Sequence, residues 1–299
     1  MDCNSQVTCI VLNWNGWKHT LECLAALKAC TYPNLTVVVV DNGSTDDSVS
    51  RISAAFPGVT LLKTDKNLGF AGGNNVGIRH ALAHGADYVW LLNNDTIPAP
   101  EAVFGLVAKA LTDSKIGAVS SICYCADSPD TVQAWAGSRV NLLFGYVRLN
   151  SEPRADDWFD ALNGASLLIP CTAINAVGLL DEEFFLYWED TEFCLRLKKE
   201  GWRLAAAPDS RVLHKVNAST RGNKAILDRY YTASGLRLLH LHSPIPFLAI
   251  LMFLSLRFGK RVLCFEPARC KSAWAGVQDY WKASRSSTQA SNIRYSQGS

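Results

Sequence analysis

Apolar runs and amphipathic segments alternate along the first 120 residues of the chain. Short continuous runs of aliphatic residues predict buried strands at 7–12, 36–40, 60–63 and 88–92. Apolar positions with helical spacing predict the intervening helices at 17–29, 46–55, 75–84 and 100–112. Strands that alternate with helices in this way are typical of an α/β layered domain with a mainly parallel sheet. In such sheets, ligands bind at the carboxyl ends of the strands.

The pattern is less regular in the second half of the chain. Further elements are expected as strands at 132–149, 158–169 and 203–207 and as helices at 171–178, 190–200 and 224–242. Ser243-Pro244 ends the last of these helices. We therefore expect a main domain at 1–222, a helical appendage at 223–285 and a disordered polar tail at 286–299.

Positive charge is concentrated near the end of the chain. Residues 243–299 contain eight Lys or Arg against Glu266 and Asp279, a net charge of +6, whereas the whole chain carries only +2. The apolar stretch 245–256 is shorter than the roughly 20 residues that a membrane-spanning helix needs. A basic helix with an apolar face either lies on an anionic membrane surface or packs into a core with a solvated flank. Both alternatives remain open.

The ten cysteines are scattered, and no pair has the two-residue spacing of a zinc site. This distribution favours reduced, buried thiols in a cytosolic protein over disulfides or a metal site. The first residues, MDCNSQVTCI, do not pair a basic region with an apolar one, so no secretory signal is expected. These features predict a cytoplasmic protein.

Polar residues follow the predicted strands. Asp41 ends the second strand, where its carboxylate can accept the N3–H of a uracil or thymine ring, although a turn alone explains the following Asn42-Gly43. The glycine-rich stretch 67–77 leads into a helix, so its backbone N–H groups can approach an anion. Asn93 and Asp95 follow the fourth strand and offer oxygens to a cation such as Mg²⁺ or Mn²⁺, or form a turn before Pro98.

Two adjacent carboxylates, Glu189 and Asp190, follow an aromatic cluster and precede a helical pattern. A carboxylate among aromatic rings is costly to desolvate unless it has a partner or a chemical role. Asp190 therefore suits a base that takes a proton from a sugar hydroxyl while Trp188 holds the sugar face. The alternative is that Asp190 only caps the helix, because Asp is a preferred N-cap residue.

The order of these segments resembles bacterial family 2 glycosyltransferases, in particular the rhamnosyltransferase-like and galactofuranosyltransferase-like members. The similar stretches lie within 7–215 and read IVLNWNG, VVVVDNGSTDDS, NLGFAGGNNVGI, YVWLLNNDT, LNGASLLI and GLLDEEFFLYWEDTEFCLRLKKEGW, followed by His214. The resemblance implies the GT-A fold, a Rossmann-like domain that binds a nucleotide-diphosphate sugar. It also implies one in-line displacement that inverts the anomeric centre.

The resemblance assigns roles to individual residues. Asp41 would contact the pyrimidine base, Asp95 would be the last residue of the metal motif, and Asp190 would be the general base, with Glu189 supporting it. His214 would complete the metal site with Asp95 and Asn93, although packing alone would also explain a histidine on a strand. The nucleotide-binding set is predicted as Asn13, Asn15, Asp41, Gly69, Gly72, Asn75, Asn94 and Asp95. The sugar-binding set is predicted as Trp188, Asn163 and Gly164.

One position departs from the family pattern. The family often has Asp at the first position of the metal motif, where this chain has Asn93, so the site carries less negative charge. The predicted function is transfer of rhamnose or a hexose from a dTDP- or UDP-linked donor, with a divalent cation. The predicted acceptor is a surface polysaccharide or lipid-linked glycan at the inner face of the membrane; no nucleic acid is expected as a partner.

Two alternatives remain. A non-catalytic sugar- or nucleotide-binding module is suggested by Asn93, and a sugar nucleotidyltransferase shares the layered domain. The usual glycine-rich, basic start of a nucleotidyltransferase is missing after the first strand, where Asn13-Trp14-Asn15-Gly16 stands.

Overall fold

The computed structural model describes residues 4–215 and 224–296. The chain forms two compact units. The first contains Met1–Val140, Val147–Glu182 and Glu189–Ser219, and the second contains Asn141–Tyr146, Glu183–Trp188 and Thr220–Ser299. The sequence predicts a boundary at residue 222, and the second unit also contains the two short segments Asn141–Tyr146 and Glu183–Trp188. Aromatic contacts within that unit explain one of them, because Phe185 stacks on Tyr230 with ring centroids 4.7 Å apart.

A large mixed sheet forms the centre of the first unit. Its strands are β1 (Val7–Asn13), β2 (Leu35–Asp41), β3 (Thr60–Lys63), β4 (Tyr88–Asn93), β5 (Thr96–Pro98), β6 (Ile116–Cys125), β7 (Ser128–Trp135), β11 (Ser166–Pro170) and β12 (Arg203–His214). A smaller sheet joins β8 (Gly137–Asn141), β9 (Tyr146–Leu149) and β10 (Ala161–Leu162). The strand order in the large sheet is β3-β2-β1-β4-β11-β6-β12-β5, with β7 paired to β6.

The parallel order predicted from the sequence holds for β3, β2, β1 and β4. The antiparallel strand β11 then lies between β4 and β6, so the other half of the sheet is mixed. The direction of strand succession reverses between β1 and β4, which makes this the switch point of the sheet. The residues at the ends of β1, β2 and β4 therefore meet where an α/β sheet binds its ligand.

Helices cover both faces of the large sheet. They are α1 (Trp17–Lys28), α2 (Ser48–Ala55), α3 (Gly69–Ala83), α4 (Ala102–Ala110), α5 (Cys171–Val177) and α6 (Glu189–Lys199), with a short 3₁₀ helix at Asp156–Trp158. One core contains side chains of α3, α5 and α6, and the other contains side chains of α1, α2 and α4. This arrangement is the three-layer α/β architecture that the alternating pattern predicted.

Three predicted elements differ from the structure. The strand expected at 132–149 is divided among β7, β8 and β9, and Ala136 between the first two has a left-handed φ of 61°. The strand expected at 158–169 is interrupted by the turn before β11. The strand expected at 203–207 continues as β12 to His214, since it pairs along its length with β6.

The helical part of the second unit contains α7 (Lys224–His242), α8 (Pro246–Leu263) and α9 (Pro267–Ser296). Apolar side chains from all three helices form its core, including Leu239, Phe253 and Val277. Helix α9 continues into 286–296, part of the segment for which a disordered tail was expected, and no Pro or Gly lies between Gly276 and Gly298. Residues 297–299 lie outside the described residues. Across the described ranges, no helix has both the length and the apolar character needed to cross a bilayer.

The nine cysteines in the described part of the chain are free thiols. Burial raises the pKa of the Cys23, Cys123 and Cys194 thiols to about 12. These side chains are therefore neutral near pH 7 and serve as small apolar groups in the core.

Candidate functional site

The end of β2 carries a buried carboxylate that is fixed by hydrogen bonds. Asp41 is 2% exposed and lies opposite Asn13 in the parallel register of β1 and β2. The side-chain amide of Asn13 donates to Asp41 Oδ2 at 2.8 Å, and the backbone N–H of Ser44 donates to Oδ1 at 3.1 Å. Each carboxylate oxygen retains a second lone pair, so Asp41 can still accept an imide N–H.

A buried network extends from Asp41 toward the end of β4. Asn94 Nδ2 donates to Thr20 Oγ1 at 3.0 Å, and the Thr20 hydroxyl donates to Asn13 Oδ1 at 2.7 Å. Asn13 and Thr20 are both fully buried. Asn13 thus orients the Asp41 carboxylate, and its contact with the nucleotide stays a prediction. Sequence reasoning missed Thr20, which has an ordinary position inside an amphipathic helix and gives no local signal.

Asn15 shapes the loop that follows β1. It has a left-handed φ of 49°, and its side-chain oxygen accepts the backbone N–H groups of Thr45 and Asp46. Its own backbone N–H donates to Ser44 Oγ at 2.9 Å. These hydrogen bonds hold the 44–46 turn in place. Because Asn15 is exposed, the turn lies at the rim of the site. Ser44 is a second residue that the sequence did not single out.

The glycine-rich segment is helical rather than an anion-binding loop. Helix α3 already begins at Gly69, and the N–H groups of Leu68 and Gly69 donate to the side chains of Asn42 and Asn67. A Cβ on Gly72 would lie 2.9 Å from Leu68 Cβ. Gly69 and Gly72 therefore permit a tight helix start and close packing, and their contact with the nucleotide stays a prediction.

Asn75 attaches α3 to a neighbouring segment, and its contact with the nucleotide stays a prediction. It is fully buried in α3. Its amide nitrogen donates to Leu180 O at 2.9 Å and to Glu182 Oε1 at 3.0 Å, and its oxygen accepts the Leu180 N–H. Both amide hydrogens are thus used to attach the 180–182 segment to α3.

Asp95 and His214 lie side by side. Strand β5 pairs with β12 in a register that places His214 opposite Thr96, so the preceding Asp95 lies next to the histidine ring. His214 Nε2 is 3.3 Å from Asp95 Oδ1, and Nδ1 is 3.0 Å from Gln133 Oε1. Gln133 was not predicted from the sequence. Asn93 ends β4 two residues before Asp95.

The donor set fits a divalent cation in its chemistry. If His214 Nδ1 donates its proton to the Gln133 carbonyl, the lone pair on Nε2 faces a carboxylate oxygen. Such an arrangement is favourable with a positive ion between the two atoms, and adjacent ligands of an octahedral ion are about 3 Å apart. No cluster of three His, Cys, Asp or Glu side chains suited to a metal occurs within the described ranges, so a cation here would also need the Asn93 amide, water or substrate oxygens.

Asp190 lies in the first turn of α6 and accepts hydrogen bonds from two directions. The backbone N–H of Gly164 donates to Oδ2 at 3.0 Å, and the backbone N–H of Thr191 donates to Oδ1 at 2.6 Å. Helix α6 begins at Glu189, so Asp190 is inside the helix rather than at its N-cap position. Burial raises the pKa of the Asp190 carboxyl, and the bonds from Gly164 and Thr191 limit that rise. A carboxyl group with a raised pKa is a stronger base than an exposed one.

The two residues on the N-terminal side of Asp190 are buried, whereas Asp190 itself is partly buried. Burial raises the pKa of Glu189 well above its ordinary value, and the neighbouring Asp190 raises it further. Trp188 is 4% exposed and lies against Tyr231, with ring centroids 5.0 Å apart. Its ring is packed here, and its predicted contact with a sugar stays a prediction. Tyr187 and Trp188 have left-handed φ values of 70° and 71°, an uncommon conformation for aromatic residues.

The turn at 163–165 connects the candidate base with the end of β4. Gly164 donates to Asp190, while the carbonyl of Ala165 accepts the backbone N–H of Asn93 at 3.0 Å. Asn163 Oδ1 accepts the Ala165 N–H at 3.0 Å and so fixes the turn. A Cβ on Gly164 would lie 3.0 Å from Asp190 Oδ2, so glycine permits this close approach. The turn therefore positions Asp190 through Gly164 and the end of β4 through Ala165.

Known proteins are similar to this chain in sequence and in fold. Family profiles described as "Glycosyl transferase family 2" and "Glycosyl transferase family group 2" match residues 8–158 and 88–265. The chain is 26% identical over 261 residues to the N-acetylglucosaminyl-diphospho-decaprenol L-rhamnosyltransferase of Mycobacterium tuberculosis, covering 78% of this chain and 84% of that protein. It is 32% identical over 189 residues to the galactofuranosyltransferase GlfT1 of Mycolicibacterium smegmatis, covering 60% of each.

A solved structure shows the same architecture. The mannosyltransferase PcManGT of Pyrobaculum calidifontis, in complex with GDP-Man and Mn²⁺, has a TM-score of 0.59 and 20% sequence identity, covering 99% of this chain and 82% of that one. This likeness bears on the fold alone. Together, the profiles and relatives show that the chain belongs to glycosyl transferase family 2: it is an enzyme that transfers glycosyl groups, and it has the GT-A fold.

Proposed function

We propose that this glycosyltransferase moves rhamnose or a hexose from a dTDP- or UDP-linked donor to a hydroxyl group of a surface polysaccharide or lipid-linked glycan, and that it inverts the anomeric carbon. The observation that carries the proposal is the partly buried Asp190, which accepts the Gly164 N–H and whose pKa is raised by desolvation. The named activities of the relatives, rhamnosyl and galactofuranosyl transfer, support the sugar class. The family assignment gives no support to the two alternatives, a non-catalytic binding module and a nucleotidyltransferase.

The proposed chemistry is one displacement at the anomeric carbon. The acceptor hydroxyl loses its proton to an Asp190 carboxylate oxygen as the acceptor oxygen forms a bond to C1. The bond from C1 to the donor phosphate breaks, and its electron pair leaves with the nucleoside diphosphate. Attack from the face opposite the leaving group inverts the configuration, so a single base suffices. The proton held by Glu189 keeps a second negative charge away from Asp190.

The donor is proposed to bind at the switch point of the sheet. Asp41 accepts an imide N–H of a pyrimidine base there, which favours uracil or thymine, and the exposed Asn15 and the partly buried Asn94 lie at the rim. Asp95, His214 and Asn93 would hold a Mg²⁺ or Mn²⁺ ion, and the Mn²⁺ in the PcManGT complex supports this class of metal. A bound cation would neutralise negative charge on the diphosphate.

Hydrolysis of a panel of dTDP-, UDP- and GDP-sugars tests the donor assignment directly. We expect a dTDP- or UDP-sugar to be hydrolysed slowly without acceptor and to stabilise the protein thermally. We also expect chelator to stop hydrolysis and Mn²⁺ or Mg²⁺ to restore it. Selective hydrolysis of a GDP-sugar would contradict the pyrimidine assignment, and full activity in excess chelator would contradict the metal.

The acceptor is proposed to be reached at the inner face of the membrane. Helix α8 exposes several apolar side chains: Phe247, Leu248, Leu251, Leu256, Val262 and Leu263. The region from residue 243 onward also carries a net charge of +6. Exposed apolar side chains together with positive charge suit peripheral binding to anionic lipid. A peripheral position would bring the enzyme to a lipid-linked acceptor.

A further inference from the structure

A cavity of about 240 Å³ lies within the second unit. Its lining contains one carboxylate, three guanidinium groups and two phenol rings, contributed by Tyr187, Leu227, Asp228, Tyr231, Arg257, Arg261 and Arg269. Asp228 is on α7, Arg257 and Arg261 are on α8, and Arg269 is on α9. None of these residues belongs to the donor site described above.

All three arginines converge on a single carboxylate. Arg257 Nη2 donates to Asp228 Oδ1 at 2.9 Å, Arg269 Nε donates to Oδ2 at 2.5 Å, and Arg261 Nη2 also donates to Oδ1. Arg269 bonds Glu266 as well, with 2.9 Å between Nη1 and each carboxylate oxygen. Three positive charges thus face two negative ones, and one positive charge is left over.

The excess charge lies on the two more buried arginines. The side chains of Arg257 and Arg261 are 13% and 7% exposed, whereas that of Arg269 is 33% exposed. Burial and the nearby Arg261 lower the pKa of the Arg257 guanidinium to about 10. In the described part of the chain, Nε of Arg257 and Nε of Arg261 have no hydrogen-bond partner. A buried cation with unused donors is costly unless an anion joins it.

A purely structural role needs fewer arginines than the cavity contains. One arginine from α8 and one from α9 would attach both helices to Asp228 on α7. The additional guanidinium adds repulsion and desolvation cost without linking another helix. Planar guanidinium groups that converge on an open space are suited to phosphate oxygens, which they bind through paired N–H groups.

We propose that this arginine cavity binds a diphosphate ester, namely the diphosphate group of the acceptor substrate. The assignment to an acceptor rests on the proposed function, in which the acceptor is a lipid-linked glycan. A diphosphate has several oxygen acceptors for N–H groups of the guanidinium groups that line the cavity, and its negative charge offsets the excess positive charge. Tyr187 lines the cavity and lies three residues before Asp190 in the chain, so one continuous segment carries a cavity wall and the proposed base.

Calorimetric titration of the full chain with inorganic pyrophosphate, in excess chelator, tests the cavity itself. We expect Arg257→Gln and Arg269→Gln each to weaken pyrophosphate binding at least tenfold. Arg229→Gln is the matched control, because it makes the same charge change on α7 at a residue that pairs with Asp279 outside the cavity lining. Arg269 is the more exposed of the two test positions, so its variant carries the test if Arg257→Gln does not fold.

A second titration separates the cavity from the donor site. We expect Asp95→Asn to retain pyrophosphate binding, because Asp95 belongs to the donor side. Loss of binding in Asp95→Asn alone, or equal binding by the wild type and both arginine variants, would overturn the cavity assignment. Equal weakening by Arg229→Gln would reduce the effect to general surface charge and would overturn it too.

The acceptor assignment has its own test. Vesicles that contain a prenyl diphosphate should retain the wild type more strongly than Arg269→Gln, while vesicles with the same amount of phosphatidylglycerol should retain both equally. Stronger retention of the wild type than of Arg269→Gln on both kinds of vesicle would make the ligand a general lipid phosphate and would overturn the acceptor assignment. In transfer assays we expect Arg269→Gln to raise the acceptor KM at least tenfold and to leave donor hydrolysis unchanged. An unchanged acceptor KM would overturn the acceptor role, whereas absence of donor hydrolysis in the wild type would contradict the proposed function instead.

Discussion

Two neighbouring carboxyl groups differ in the hydrogen bonds that they receive. Asp190 accepts N–H groups from Gly164 and Thr191, whereas Oε2 of Glu189 has no hydrogen-bond partner in the described part of the chain. Burial raises the pKa of both groups, but only Asp190 has strong compensation from neighbouring backbone. Glu189 therefore holds its proton more tightly, and Asp190 ionises first. Two carboxyl groups with separated pKa values are a recurrent arrangement in acid–base sites.

The Glu189 environment predicts a stability effect that depends on pH. A carboxyl whose pKa is raised by folding binds more protons in the folded state, so stability falls as pH rises above the ordinary value of 4.5. We expect Glu189→Gln to increase the free energy of unfolding at pH 7.5 by about 1–3 kcal/mol, because the amide removes a buried group that is costly to ionise. Urea unfolding at several pH values measures this.

The difference between Glu189→Gln and the wild type should shrink as the pH falls and should disappear below 4.5, where the wild-type carboxyl becomes protonated in the unfolded state as well. A difference that is constant with pH would contradict the assignment of a neutral Glu189. Glu200→Gln, an exposed residue just after the same helix, is the control and should show little change.

The amide of Asn93 is expected to weaken the binding of a divalent cation. A carboxylate at this position would add negative charge beside Asp95 and His214. We expect Asn93→Asp to lower the Mn²⁺ concentration for half-maximal donor hydrolysis severalfold, because carboxylates are the preferred ligands of hard cations. Metal titration of both proteins measures it. An unchanged metal requirement would place Asn93 outside the cation's ligands.

Helix α3 packs closely on the sheet because Gly77 has no side chain. A Cβ on Gly77 would lie 2.6 Å from Ile10 Cγ2, and Ile10 is fully buried. We expect Gly77→Ala to lower the free energy of unfolding by about 1–2 kcal/mol, because the clash exceeds the gain of about 1 kcal/mol in helix propensity. Gly58→Ala, which would meet no atom within 4 Å, should change stability by less than about 0.5 kcal/mol. Equal effects in chemical unfolding would contradict the packing role.

The same helix shows where prediction from the sequence succeeded and failed. The strands and helices of the first half follow from their periodicity, and Asp41, Asn93 and Asp95 lie at strand ends as predicted. The glycines of α3 suggested a loop, because spacing alone does not reveal that Ile10 and Leu12 lie against them. Thr20 and Gln133 were missed for a related reason: long-range pairing makes their contacts, and no local pattern marks either residue.

Exposed apolar side chains predict that α8 mediates peripheral binding of the molecule to membranes. Phe247 and Leu251 are 82% and 54% exposed on this helix. We expect Leu251→Glu to reduce co-sedimentation with anionic vesicles at least fivefold, because a charge on the apolar face opposes insertion and repels anionic lipid. Leu111→Glu is the control, since Leu111 is 51% exposed in the first unit and should have little effect. Equal binding by both variants would count against membrane contact through α8.

We propose that Asp190 is the base for glycosyl transfer. The transfer rate of Asp190→Asn, measured with the donor and acceptor of the wild type, tests this role directly. The amide retains the size of the side chain and an acceptor oxygen for the Gly164 N–H, but it cannot take the proton. The exposed Asp157 provides the control variant Asp157→Asn. We expect kcat to fall at least 10²-fold in Asp190→Asn and to stay unchanged in Asp157→Asn. The circular dichroism spectrum of Asp190→Asn should remain that of the wild type. A folded Asp190→Asn protein with the wild-type rate would contradict this role.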